Sequence, residues 1–124
     1  MTNPVAGVWQ LVSDDEDGLL ILTETHFTDI TVKKERKSWP VPFDPGAVTD
    51  EMRAEAWKDL LFAIAGTYEV VSLEGDECEV AFRPQINRVP LPMRDFTHKA
   101  KLQGDTMSGD VGPRHEVWRR IADV

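Results

Sequence analysis

Three side chains that can transfer protons, His98, Tyr68 and Glu116, stand in segments where apolar and polar residues alternate. In a β-strand, residues i and i+2 face the same side of the sheet. His98 therefore shares a face with Phe96, Ala100 and Leu102. The residues between them, Thr97, Lys99 and Lys101, face the other way. If these faces point inward, an imidazole, a phenol and a carboxyl group are predicted to share one interior. Acid–base catalysis is a chemistry that such groups support in a low dielectric.

The same residues are also predicted to contact a ligand without any chemistry. Aromatic and aliphatic side chains with a few polar groups are typical of small-molecule sites. Trp118 shares the face of Glu116, Trp39 lies in a proline-rich loop, and His26 stands at the start of a strand. The predicted ligand-binding residues are Tyr68, His98, Trp118, Trp39, Phe96 and His26.

Structural roles compete with both interpretations. A lone inward histidine is more often a hydrogen-bonded core residue than a catalyst, and Tyr68 could simply be half-buried packing. A buried Glu116 needs a cation, because an unpaired buried charge is costly. Arg114 or Arg120 could neutralise it in a purely structural pair.

Other chemistry finds little support in the sequence. The three histidines are scattered, so neither a metal site nor a cofactor is predicted. There is no glycine-rich phosphate loop and no nucleophile elbow. The single cysteine, Cys78, lies in an alternating segment, which favours a buried thiol and excludes an internal disulfide.

The alternating segments predict about eight strands, the number at which a closed barrel leaves room for side chains or one small ligand. The fold class is therefore mainly β, an eight-stranded up-and-down antiparallel barrel with one α-helix after the third strand. The predicted strands cover residues 6 to 13, 19 to 24, 27 to 33, 67 to 72, 79 to 83, 96 to 102, 106 to 108 and about 115 to 122.

One helix is predicted between the third and fourth strands. Thr49 is a suitable N-cap, and Gly66 can end the helix in the left-handed conformation. The proline-rich segments 38 to 48 and 84 to 93 are predicted to be irregular. The apolar stripe of the helix consists of Met52, Ala56, Trp57, Leu60, Leu61 and Ile64.

The totals are those of one ordinary globular domain covering residues 1 to 124. Hydrophobic residues make up 41% of the chain, and the net charge of -8 argues against nucleic acid as a partner. No apolar run is long enough for a membrane span, and no export signal is evident, so a cytoplasmic location is expected. A homodimer is compatible with a small barrel that carries an external helix.

The order of several short motifs resembles the bacterial lipocalin-like domains of the calycin superfamily. The motifs are Gly7 to Ser13, Gly18 to Thr23, Ala65 to Val70, Leu102 to Thr106 and Val117 to Ile121. The resemblance implies an eight-stranded barrel with an internal apolar pocket, in which Trp9 closes the floor and Arg120 packs on it. Because this family includes binding proteins and a few enzymes, it implies the fold more strongly than the function.

Three functional hypotheses follow. The first is binding of a small hydrophobic molecule, aromatic or carboxylated, inside the barrel. The alternative is a small barrel enzyme, an isomerase, cyclase or lyase that acts on a hydrophobic metabolite by acid–base catalysis through His98, Tyr68 and Glu116. The third is an interaction module whose barrel is filled with side chains and whose acidic surface meets a basic partner.

Overall fold

The computed structural model describes residues 3–89 and 94–124, and eight strands in it form a closed barrel. Each strand is antiparallel to the next, and β1 closes the barrel against β8. The predicted up-and-down barrel is confirmed. The strands are β1 (Gly7–Leu11), β2 (Glu16–Leu22), β3 (His26–Lys33), β4 (Leu60–Glu74), β5 (Glu77–Asn87), β6 (Phe96–Gln103), β7 (Thr106–Val111) and β8 (Arg114–Ala122).

Strand alternation determines which side chains face the interior. In β6, Phe96, His98, Ala100 and Leu102 are half-buried, and the residues between them are exposed. In β8, Trp118 is buried and Arg119 is exposed. The inward faces predicted for these two strands are therefore confirmed.

The α-helix, α1 (Asp50–Asp59), follows β3 as predicted but is shorter than predicted. Leu60, Leu61 and Ile64 belong to β4, where Ile64 pairs with Asp29 of β3. An apolar run of this kind suits a helix or a strand, and the long-range pairing with β3 decides between them. None of the residues of α1 is buried, and no helix in the described part of the chain is long and apolar enough to cross a membrane.

Gly66 has a different role from the predicted helix end. It lies within β4, where the register with β5 shifts. A Cβ atom at this position would lie 2.1 Å from the backbone oxygen of Arg83. Glycine is thus required because two strands approach each other closely here.

The segment that begins at Pro84 is also more regular than predicted, because β5 continues to Asn87. The pairing between β5 and β6 ends at Phe82 and Phe96, so none of the described residues pairs with Pro84 on that side. Proline is tolerated where one side of a strand is unpaired. Residues 90 to 93 of the predicted irregular segment lie outside the described residues.

One end of the barrel is closed by the residues that precede β1. Trp9 is fully buried, and its indole Nε1 donates a hydrogen bond of 2.9 Å to the Val5 carbonyl. The Arg120 guanidinium lies 4.6 Å from the centre of the Trp9 ring and donates to the Pro4 carbonyl at 2.7 Å. The predicted floor, with Trp9 across it and Arg120 over the ring, is confirmed.

Candidate ligand-binding site

A cavity of about 620 Å³ occupies the barrel interior. It extends from Leu22 and Trp118, near the floor, to Leu61 and Val111 at the opposite end. Every strand from β2 to β8 contributes to its lining, and apolar side chains such as Leu20, Ile64, Val80 and Met107 predominate. This empty space argues against the hypothesis of a barrel filled with side chains.

Aromatic rings form one wall of the cavity. Phe82 of β5 contacts Phe27 edge to face at a centroid distance of 4.8 Å and stacks on Phe96 at 5.2 Å. The His98 ring lies edge to face against Phe96 at 5.0 Å and against Phe82 at 5.8 Å. Such contacts add to the stability that burial provides and hold the rings in a defined arrangement. The wall offers flat apolar surface with one imidazole in it.

Asp29 brings a carboxyl group into this apolar interior. It lies on β3 two residues after Phe27 and lines the cavity. Its Oδ1 accepts a hydrogen bond of 3.0 Å from the hydroxyl of the fully buried Thr31. Burial raises the pKa of Asp29 to about 6; the Thr31 hydrogen bond and Arg114 oppose this rise, and the charge of Glu116 adds to it.

Arg114 holds two other carboxylates at the same side of the barrel. It donates two hydrogen bonds to Glu16, at 3.0 and 2.5 Å, and one of 3.3 Å to Glu116. The hydrogen bond from Arg114 lowers the pKa of Glu16. The guanidinium also lies 5.2 Å from the centre of the Phe62 ring. Of the two arginines proposed from the sequence as partners of Glu116, Arg114 is the one that contacts it.

Four of the predicted site residues come together at the cavity. Phe96 and His98 lie in the aromatic wall, Glu116 lies two strands further round the barrel on β8, and Trp118 lies on the same strand as Glu116. These four residues remain predicted contacts of a ligand, and His98 and Glu116 remain the predicted acid–base groups.

The other three predicted site residues, Tyr68, Trp39 and His26, are not part of the cavity lining, although the Tyr68 ring stacks on Phe82 of the aromatic wall. The Tyr68 hydroxyl accepts a hydrogen bond of 2.7 Å from the Asn3 side chain and donates one to the Thr23 carbonyl. Burial raises the pKa of Tyr68. Trp39 stacks on Phe43 in the loop before α1, and His26 is exposed. Tyr68 thus belongs to the closed end of the barrel.

Asp29 is the residue that the sequence analysis missed. The signal was present, because Phe27, Asp29 and Thr31 alternate with outward-facing residues in β3. An apolar and bulky Phe27 on the inner face requires Asp29 to face inward as well. Asp29 was not predicted as a site residue because it stands among β-branched residues of an ordinary alternating strand.

Among residues 3–89 and 94–124, no three histidine, cysteine, aspartate or glutamate side chains are placed so that they could hold a metal ion. Comparison with known proteins adds no relative: no family model matches the chain, and neither curated proteins nor solved structures give a significant match.

Proposed function

We propose that this protein binds a small hydrophobic molecule inside its barrel. The observation that carries the proposal is the cavity of about 620 Å³ with its mainly apolar lining. This volume lies in the range of known small-molecule sites, roughly 300 to 1,000 Å³. Aromatic rings on one wall suit a ligand with an aromatic or flat aliphatic body.

We also propose that the chain is a lipocalin-like domain. The closed eight-stranded barrel and Arg120 over the Trp9 ring agree with the resemblance of its motifs to that family. A barrel of this kind provides a binding cavity through its fold alone, so binding is the first function to test. Catalysis needs additional groups in defined positions.

A neutral fluorophore tests the binding proposal. N-phenylnaphthylamine, uncharged at about pH 8, is expected to gain fluorescence in the barrel and to raise the melting temperature at saturation. Ala100→Trp places a large ring in the cavity that Ala100 lines, so this variant is expected to lose the signal. Thr97→Trp is the matched control, because Thr97 is exposed on the same strand. Equal binding by both variants, or no binding by the parent protein, would refute the proposal.

Acid–base catalysis in the same cavity is the second candidate. The observation that favours it is the carboxyl group of Asp29, which faces an apolar cavity that Glu116 and His98 also line. A group with a pKa of about 6 exchanges protons readily near neutral pH. Of the three groups named from the sequence, Tyr68 lies outside the cavity lining, and Asp29 takes its place in this proposal.

Solvent deuterium tests the catalytic candidate. The protein is incubated with a hydrophobic metabolite extract in heavy water, and the small molecules are followed by mass spectrometry. An isomerase that moves protons through Asp29 is expected to add deuterium to a carbon of its substrate, and Asp29→Asn is expected to stop this. Retention of a compound without conversion or labelling would leave binding as the function.

A further inference from the structure

We propose that the ligand of the cavity is a hydrophobic amine whose ammonium group binds Asp29. The inference rests on the proposed binding function and names the chemical class of the ligand. It is drawn from the position of one carboxyl group, from the charges beside it and from the rings that adjoin it.

Asp29 presents a carboxylate that forms no ion pair with any cation in the described part of the chain. Its Oδ1 accepts a hydrogen bond from Thr31. Within residues 3–89 and 94–124, no lysine, arginine or histidine forms an ion pair with it; the buried ion pairs nearby join Arg114 to Glu16 and Glu116. Buried carboxylates are normally paired, because removing an unpaired charge from water is costly. An ammonium group in the cavity would supply the missing partner.

The local charge balance favours a cation over an anion. Asp29, Glu16 and Glu116 provide three carboxyl groups, and Arg114 provides the one cation among them. Burial is the main cause that disfavours the ionised form of Asp29; the charge of Glu116 adds to it, and the Thr31 hydrogen bond and Arg114 oppose it. A carboxylated ligand would add a further negative charge, whereas an ammonium group would offset those present. The local charges therefore disfavour the carboxylated ligand that was one of the alternatives predicted from the sequence.

The apolar body of such a ligand has a place beside the carboxylate. Phe27 lies two residues before Asp29 on the same face of β3 and contacts Phe82 of the aromatic wall. A flat ring placed against this wall leaves a short amine arm in reach of Asp29. Aromatic faces also attract cations, so the rings tolerate the ammonium group next to them.

Arg88 is the cavity-lining group that most favours an anionic ligand over an amine. It lines the cavity, and its side chain also contacts two residues that are not part of the lining. It donates a hydrogen bond of 2.9 Å to the Leu60 carbonyl, and its guanidinium lies 4.2 Å from the centre of the Trp57 ring. A carboxylated ligand would bind at Arg88, because Lys99, the other lysine or arginine in the lining, is exposed on β6.

Three probes with the same ring separate these possibilities. Naphthylmethylamine, naphthylmethanol and naphthoic acid differ only in the polar group, and each is competed against N-phenylnaphthylamine at about pH 8. We expect the amine to bind about tenfold more tightly than the alcohol, and the acid to bind more weakly than the alcohol. In Asp29→Asn, the amine is expected to fall to the affinity of the alcohol, whose own affinity stays within about twofold.

The outcomes distinguish this inference from the function on which it rests. Binding of the alcohol with no preference for the amine would overturn the amine proposal and leave the binding proposal intact. Tightest binding by the acid would also overturn it and would direct attention to Arg88. Failure of all three probes and of the fluorophore would refute both proposals. The comparison in the unmutated protein decides the matter even if a variant fails to fold.

The preference is also expected to depend on pH. The amine stays protonated below about pH 8, so its charge does not change in this range. Its affinity should fall as pH decreases through about 6, because Asp29 takes up a proton and loses its negative charge. The other charged or titratable groups that line the cavity are Arg88 next to the end of β5, His98 and Lys99 from β6, Asp110 from β7 and Glu116 from β8. Arg114 joins Glu116 to Glu16 beside them, and its charge also acts on Asp29. An amine preference that is the same at about pH 5 and pH 8 would contradict binding at Asp29.

Discussion

Two arginines at opposite ends of the barrel each lie over an aromatic ring. Arg120 lies 4.6 Å from the Trp9 ring at the closed end, and Arg114 lies 5.2 Å from the Phe62 ring beside the cavity. In both places the ring accepts the face of a guanidinium that would otherwise lose its hydration. The other groups around the two arginines differ. This difference distinguishes the closed end of the barrel, which has a structural role, from the candidate ligand-binding site.

Arg120 donates its hydrogen bond to a backbone carbonyl, and the carboxylates near it, Asp105 and Asp123, are 77% and 92% exposed. Arg114 instead binds Glu16 and Glu116, whose side chains are only 16% and 11% exposed. An arginine that bonds to backbone helps to close a barrel. An arginine that holds buried carboxylates keeps polar groups at an apolar cavity.

The largest effect is expected at the closed end. Trp9→Ala removes the largest fully buried side chain of the barrel, so the free energy of unfolding is expected to fall by about 3–5 kcal/mol. Urea denaturation measures this loss. A loss below about 1 kcal/mol would mean that the floor contributes little to stability, and Trp57→Ala, at an exposed tryptophan, is the matched control.

The two arginines themselves provide the direct comparison. Arg114→Met leaves Glu16 and Glu116 without their cation and is expected to cost about 3 kcal/mol at about pH 7, a value reduced for partial exposure. Arg120→Met loses one hydrogen bond and the contact with the Trp9 ring and is expected to cost about 1–2 kcal/mol. If both variants lost the same free energy of unfolding, the two arginines would not differ in the way that the structure indicates.

The pH dependence of these variants sharpens the comparison. The pKa of Glu16 is lowered in the folded protein, so its pairing adds stability above its unfolded pKa, about 4.3, and this is lost as pH falls through the folded value. The cost of Arg114→Met is therefore expected to shrink in acid. The cost of Arg120→Met should change less. Chemical denaturation from about pH 3 to pH 7 would show whether the two profiles differ.

Asp29→Asn is expected to stabilise the protein. Because the pKa of Asp29 is raised to about 6, the folded state binds more protons than the unfolded state between about pH 4 and pH 6. Stability is therefore lost as pH rises through this window. The variant should be about 2 kcal/mol more stable than the parent at about pH 8 and no more stable at about pH 4. Asp95→Asn, at an exposed position, is the control. If Asp29→Asn gained no stability at either pH, this would contradict a raised pKa at Asp29.

The smallest effect is expected at Tyr68. Tyr68→Phe removes the hydroxyl that contacts Asn3 and Thr23 and should cost about 1 kcal/mol of stability. Probe affinity should be unchanged, because Tyr68 lies outside the cavity lining. A loss of affinity above about tenfold would place Tyr68 in the site, as the sequence analysis predicted.

The fold class, the strand count and the closed end could all be predicted from the amino-acid sequence. Alternation with period two marks the inner face of β6 and β8, and glycine beside Trp9 with an arginine in the last strand marks the floor. These features could be predicted because each depends on neighbours within one strand or on the two ends of a short chain.

The end of α1 and the set of polar groups around the cavity became known only from the folded barrel. The apolar run that begins at Leu60 is compatible with helix or strand until its pairing with β3 is known. Asp29 and Arg114 come from strands distant in the sequence, and Tyr68 turns to the floor because Asn3 and Thr23 meet it there. A site depends on how strands are brought together around a barrel, and this information does not reside in the local pattern of any one strand.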